Sequence, residues 1–317
     1  MSDKKQEGRG ATLVSLSYIC WGTLTIFWNL LSQVNPVYIL AQRVIWSMVV
    51  VGGYALLIGK GKQIRDALRN PRLMGLLLIC GVLITVNWGV YIYAVNSGHV
   101  LDASLGYFIE PVLVTALGML CFRERLNRWE KITFAFAVAG LVYLTVASKA
   151  LPILALVIAG SFAAYGAVKK KVQLDPFVSL FLETLVMTPF AVAFTLYADQ
   201  SGIGAQGVLT GWSWLLLPAC GVVTGLPLLW FNIGVQQIPY YLSGILMYLN
   251  PTLQFMMGLW YFGEPLDFRR LVAFVLIWFG LAFTLADRLI LLRRYRGKRS
   301  LERKKPLGKE SKANGSI

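Results

Sequence analysis

Glu110 stands in the stretch SLGYFIEPV, inside an otherwise apolar run, with Pro111 directly after it. A carboxylate can carry a proton or bind a cation, and proline weakens a helix because it has no backbone N–H to donate. A charged acid at mid-membrane is disfavoured by roughly 2.5–3.5 kcal/mol on insertion scales, so its presence asks for a reason. Glu110 is therefore a candidate proton carrier, or the partner of a cationic group on a solute. Arg43 in AQRVIWS and Glu183 in LFLETLV also lie within apolar runs. They form a candidate ion pair or gate, and Glu183 is a second candidate for proton coupling. His99 and Asp102 stand together just before the run that holds Glu110, where they offer either a gate or a hydrated cap for the helix.

The rest of the chemistry is excluded by supply. Glu110, Glu183, Asp102 and His99 are the acids and bases available for catalysis, and His99 is the single histidine, so no catalytic residue is assigned. The four cysteines, Cys20, Cys80, Cys121 and Cys220, are scattered without a CxxC pair. Neither a zinc site nor a disulfide framework is expected. No G-x-x-x-x-G-K-[ST] loop is present, so no nucleotide drives the protein from this chain. No cofactor and no metal are expected.

These residues sit in a chain of 317 residues that is 57% hydrophobic and 14% charged, with a mean hydropathy of +0.63. A soluble fold of this size could not hide so much apolar surface. Apolar runs long enough to cross a bilayer recur at roughly 10–31, 36–59, 73–96, 102–122, 131–148, 152–170, 176–198, 212–236, 241–262 and 270–290. The first is too long for a cleaved signal and is expected to stay as an anchor. The net charge of +15 is concentrated between alternate pairs of these runs: 26 of the 30 Lys and Arg fall in 1–10, 60–72, 123–131, 169–171 and 288–317. Such a bias places those segments, and both termini, in the cytoplasm. The basic tail RRYRGKRSLERKKPLGKE is expected to meet anionic lipid headgroups, and nucleic acid is not an expected partner.

The chain also repeats itself at an offset of 140 residues. Pro36 matches Pro176, the tripeptide CGV at 80–82 matches 220–222, and Pro111 matches Pro251. Phe122, Glu124 and Leu126 match Phe262, Glu264 and Leu266, and Gly140 matches Gly280. Each unit holds five spans, an odd number, so the second must enter the membrane upside down. The expected fold is an all-α integral membrane bundle of ten transmembrane helices in two inverted five-helix repeats. The expected division is 1–9 as a cytoplasmic segment, 10–148 and 152–290 as the repeats, and 291–317 as a cytoplasmic tail.

Inverted repeats are a transporter architecture, because two oppositely oriented halves supply paired inward-open and outward-open states. Asn250 occupies the position of Glu110 in the second repeat, again directly before a proline. The alternative for Glu110 and Asn250 is a hydrogen bond tying the halves together. Pro111 and Pro251 are expected helix breaks, and polar weakened helices at matching positions point to a central cavity. Its expected lining is Glu110, Asn250, Tyr107, Tyr248, Asn87, Trp88, Tyr91, Trp230, Asn232 and Trp21. The third, fourth, eighth and ninth spans would surround it, with the first and sixth closing it.

The segments LAQRVIWS, NWGVYIYAVN, HVLDASLGYFIEP and LPILALVIAGSFAAYGAVKKK, with the duplicated F-x-E-x-L, resemble the RarD-like permeases of the EamA branch of the drug/metabolite transporter superfamily. The resemblance spans residues 10 to 290. It implies a ten-helix secondary transporter of the bacterial inner membrane, usually an exporter of small metabolites or drugs. Two positions depart from the family's pattern: Gln42 where His is frequent, and Glu110 where Asn is frequent. A membrane enzyme or a flippase for lipid-linked substrates is the competing class. Oligomeric state is left open between monomer and homodimer.

Overall fold

The computed structural model describes residues 2–122, 128–238, 246–283 and 286. The basic tail, and Glu124 and Leu126 of the first F-x-E-x-L motif, lie outside these residues. Among the described residues every regular element is helical. α1 (Ser2–Asn29), α2 (Pro36–Leu57), the short α3 (Gly61–Leu68), α4 (Pro71–Asn96), α5 (Val100–Phe122) and α6 (Arg128–Ser148) make the first half. The second half has α7 (Ile153–Lys169), α8 (Pro176–Gln200), α9 (Leu216–Val235), α10 (Leu249–Met256) and α11 (268–283). Helix therefore stands at all ten expected spans, and among the described residues six helices are long and apolar enough to cross a membrane by length and composition. α3 was not anticipated; it lies between two spans and buries only Ile64 and Ala67.

Helix starts follow from local chemistry. Asn35 and Asp175, equivalent in the two repeats, each precede a proline that opens a span. Asn35 Oδ1 accepts from the Val37 N–H at 2.9 Å and Asp175 Oδ1 from the Phe177 N–H at 3.0 Å. Both residues satisfy donors that the first turn of any helix leaves open.

The halves are inverted, and packing shows it directly. Equivalent helices α2 and α8 lie side by side with Gln42 meeting Thr195 and a Cβ at Gly52 pointing onto Phe181, so the two run antiparallel. Equivalent helices α6 and α11 do the same. A Cβ at Gly140 would meet the Ala273 carbonyl at 3.1 Å, and one at Gly280 the Thr133 carbonyl at 3.2 Å. The third such pair is α5 and α10: Ser104 Oγ donates to the Pro251 carbonyl at 2.9 Å, and a Cβ at Gly258, just past α10, would meet Leu101 at 2.9 Å, so these two also run antiparallel. Three antiparallel pairs of equivalent helices require a two-fold axis lying across the spans, in the plane of the membrane.

The repeated CGV has a steric explanation. A Cβ at Gly81 would stand 2.8 Å from the Glu183 carbonyl, and one at Gly221 only 2.3 Å from that of Trp46. Both glycines allow helix backbones from opposite halves to touch. Gly221→Ala is expected to force α9 off α2 and lower stability by about 1–3 kcal/mol. The control is Gly75→Ala, because no atom lies within 4 Å of that position. Equal melting temperatures for the two variants in detergent would refute the close-contact argument.

The helix breaks differ from expectation. α5 runs without interruption through position 111, whereas near Pro251 the chain makes a turn at 247–248 before α10 begins. Two prolines not singled out beforehand, Pro189 and Pro227, lie inside α8 and α9.

Candidate functional site

α2 carries Arg43 about two turns past its capped start, and the residue is only 6% exposed. Its guanidinium carbon lies 3.9 Å from the ring centre of Trp88 on α4 and 4.9 Å from that of Trp28 on α1. Nε donates to Thr224 Oγ1 on α9 at 3.2 Å. Nη1 is sealed from solvent and has no acceptor. Stacking on two indoles compensates part of the lost hydration of a buried cation, but not the missing hydrogen bond.

Tyr91 follows Trp88 by one helical turn and meets Tyr107 of α5 edge to face, with ring centres 5.7 Å apart. Its hydroxyl is also sealed and unpartnered, as are Trp28 Nε1 and Glu110 Oε2. Tyr107 lies within electrostatic reach of both Arg43 and Glu110. Trp88, Tyr91 and Tyr107 are thus brought together around Arg43, and Glu110 follows Tyr107 by one turn of α5. Each unsatisfied buried group costs about 1–3 kcal/mol, more when charged, so four of them on the neighbouring helices α1, α2, α4 and α5 are a functional signal rather than a packing detail.

Other expected lining residues are committed elsewhere. Asn87 Nδ2 donates to the Ile158 carbonyl at 2.8 Å and Ser161 Oγ at 3.3 Å, tying α4 to α7. Asn250 Oδ1 accepts from Gln254 Nε2 at 2.7 Å, so it does not bond Glu110. Trp21 packs on Tyr18 and Phe231, joining α1 to α9. Asn232 Nδ2 turns back to the Leu228 carbonyl, and the residue borders a cavity of about 320 Å³ at the end carrying the basic loops, with Tyr54, Phe177 and Gln236. Trp230 is half-buried on α9 and Tyr248 packs against the cluster around Phe255 and Phe274.

The Arg43–Glu183 pair does not form. In the antiparallel α2–α8 pair, Gln42 is level with Thr195, which puts Glu183 roughly 16 Å along the axis from Arg43. Glu183, 0% exposed, instead accepts from Lys169 Nζ, from Ser179 Oγ at 2.8 Å and from the Tyr165 hydroxyl at 3.1 Å. Lys169 also donates to Ser179 Oγ at 2.7 Å.

At the opposite end, Asp102 pairs with Arg270 at 3.3 Å instead of capping α5, and His99 is exposed. The cap comes from the other half. Glu264 accepts from the backbone N–H of Val100 and, at 2.9 Å, from that of Leu101. A π-helical turn at Met257–Tyr261 and Gly263 at φ 64° swing Glu264 under the start of α5. Burial raises the Glu264 carboxyl above its ordinary value, opposed by those two N–H groups and by Arg270. The second copy of F-x-E-x-L thus latches one half onto the helix end of the other.

Two segments of the chain, 8–146 and 150–286, each match the EamA-like transporter family. The chain belongs to that family. Protein RarD of Streptomyces exfoliatus is 39% identical over 285 residues, covering 89% of this chain and 90% of the relative. The uncharacterized transporter YojE of Bacillus subtilis is 36% identical over 277 residues, covering 86% and 92%. A solved structure titled "Crystal structure of protein" shares the fold at 21% identity and a TM-score of 0.59, covering 86% of this chain and 96% of its own. The RarD-like resemblance therefore holds along most of the sequence. This EamA-like transporter is a multi-pass membrane protein of a transporter family, not of an enzyme family. Trp28 and Thr224, neither expected in the site, are the additions the fold makes. The signal that could have found Trp28 is Arg43 itself, since a buried cation without an acid needs π faces.

Proposed function

We propose that this EamA-like transporter is a secondary active transporter of the bacterial inner membrane that exports small amphiphilic metabolites or drugs, amino-acid-like or chloramphenicol-like, by alternating access. The observation that supports the reading is the set of sealed polar atoms without partners on Arg43, Trp28, Tyr91 and Glu110, in helices of one half that pack against the other. The basic loops support a cytoplasmic location for both termini, with the bundles 10–148 and 152–290 as the moving bodies.

The two ends of the bundle are closed unequally. At the basic end Lys60 and Asp175 pair at 3.2 Å with side chains 38% and 21% exposed, a contact worth about 0–1 kcal/mol. At the other end the Glu264 latch is buried. Opening toward the cytoplasm is thus the easier motion from this state, as loading an exporter requires.

Coupling falls to Glu110, because the oxygens of Glu183 are occupied by Lys169, Ser179 and Tyr165. In vesicles with an imposed pH gradient, Glu110→Gln is expected to slow uptake by about tenfold or more, near 1.4 kcal/mol of barrier, and to lose its dependence on the gradient. An unchanged rate and pH profile would remove the proton role. Recovery of a chemically altered product would favour a membrane enzyme, and movement of lipid-linked substrates a flippase.

A further inference from the structure

Arg43 is a buried cation with no acid to neutralise it. Among the described residues no carboxylate oxygen lies within 4.0 Å of it, and its counterpart in the second repeat, Glu183, is taken by Lys169. Glu110 does not fill the role either, since Glu110 Oε2 and Arg43 Nη1 are both unpartnered. We infer that Arg43, Trp28 and Tyr91 form a subsite for a carboxylate group on the transported solute. This rests on the transport reading above and narrows it to acids and zwitterions, against neutral drugs.

The chemistry of the orphaned atoms points one way. Arg43 Nη1 and Trp28 Nε1 can only donate, and the Tyr91 hydroxyl is free to do so. Two obligate donors and a hydroxyl, all without acceptors, suit an anion, and the unpartnered hydroxyls of Thr25 and Ser47, one turn from Trp28 and Arg43, are able to donate as well. Trp88 and Trp28 hold the guanidinium at its faces, and Thr224 occupies Nε. What remains free is an edge of the planar fork, the part that binds both oxygens of a carboxylate side by side. Tyr91 and Tyr107 lie within electrostatic reach of that charge, so an anion there would be flanked by aromatic surface. The matching solute is compact, carries a carboxylate and has an apolar or aromatic body.

The ordinary alternative is that Arg43 only fastens α1, α2, α4 and α9 together. A fastening role predicts no preference among ligands, so selectivity is the quantity to measure. Calorimetric titration of the purified full chain with 3-phenylpropionate and with 3-phenylpropionamide compares one skeleton with and without the charge. The acid is expected to bind about tenfold or more tightly than the amide. Arg43→Lys, which keeps the charge but loses the fork and the stacking, is expected to erase that preference. Tyr91→Phe keeps the ring and its packing, so it tests the hydroxyl without endangering the fold, and it too is expected to shrink the preference. Equal affinities for acid and amide, no binding of the acid at millimolar concentration, or a preference that survives in both variants would each overturn the subsite. Vesicle flux separates this from the parent reading. Selective binding of the acid without its transport would sink the transporter and leave the subsite, whereas equal transport of acid and amide would sink the subsite and leave the transporter.

Discussion

Lys169→Met is expected to destabilise the folded protein by about 3–5 kcal/mol, the range seen when one partner of a buried ion pair is removed. Glu183 is fully buried, and Lys169 supplies its only positive charge among the described residues. Without the lysine, Ser179 and Tyr165 still donate to the carboxylate, but two neutral hydroxyls do not balance a charge in a dry site. The Lys169 side chain as a whole is 26% exposed, so the pair is partly screened and the lower end of the range is the better guide. The measurement is the melting temperature in detergent of Lys169→Met beside Lys169→Met/Glu183→Gln. The double variant should recover most of the loss, because the unpaired charge is gone. If Lys169→Met melts with the parent protein, Glu183 is not held by this lysine.

Much of the architecture was legible because it rests on periodic and repeated features. Apolar run length locates helices whatever their neighbours, and an offset of 140 residues with an odd number of spans dictates inversion. The antiparallel α2–α8, α5–α10 and α6–α11 pairs are the physical form of that inference. What escaped depends on register between distant segments. Arg43 and Glu183 are equivalent in sequence, yet an antiparallel crossing separates equivalent positions unless they lie at the crossing point. Asn87 was expected to face a cavity and instead ties two helices; the same amide serves either purpose, and only the neighbour decides. Trp28 is hard to single out in sequence because a tryptophan near a span end resembles an interface anchor. The F-x-E-x-L motif was visible as a repeat but not as a latch, since nothing in the chain says which helix end will lie opposite Glu264.

That latch yields the second large effect. Glu264→Ala is expected to cost about 2–3 kcal/mol, combining a lost helix cap with lost charge-assisted bonds. The carboxylate is buried, spans two N–H groups at the start of α5, and lies within electrostatic reach of Arg270 and Asp102. Removing it leaves both donors without their acceptor and frees the loop after the π-helical turn from the other half. Glu264→Gln keeps a carbonyl acceptor but loses the charge that favours a helix N-terminus, so it should fall between alanine and the parent. The effect should also be local. Amide hydrogen exchange should accelerate at residues 100–104, where Ser104 makes the next contact across the halves, and should stay unchanged in α8, far along the bundle. In transport terms, the variant loses the stronger of the two closures and should leak solute through the end opposite the basic loops. Unaltered exchange at Val100 and Leu101, with an unaltered melting temperature, would show that α5 is held by packing alone and that Glu264 closes nothing.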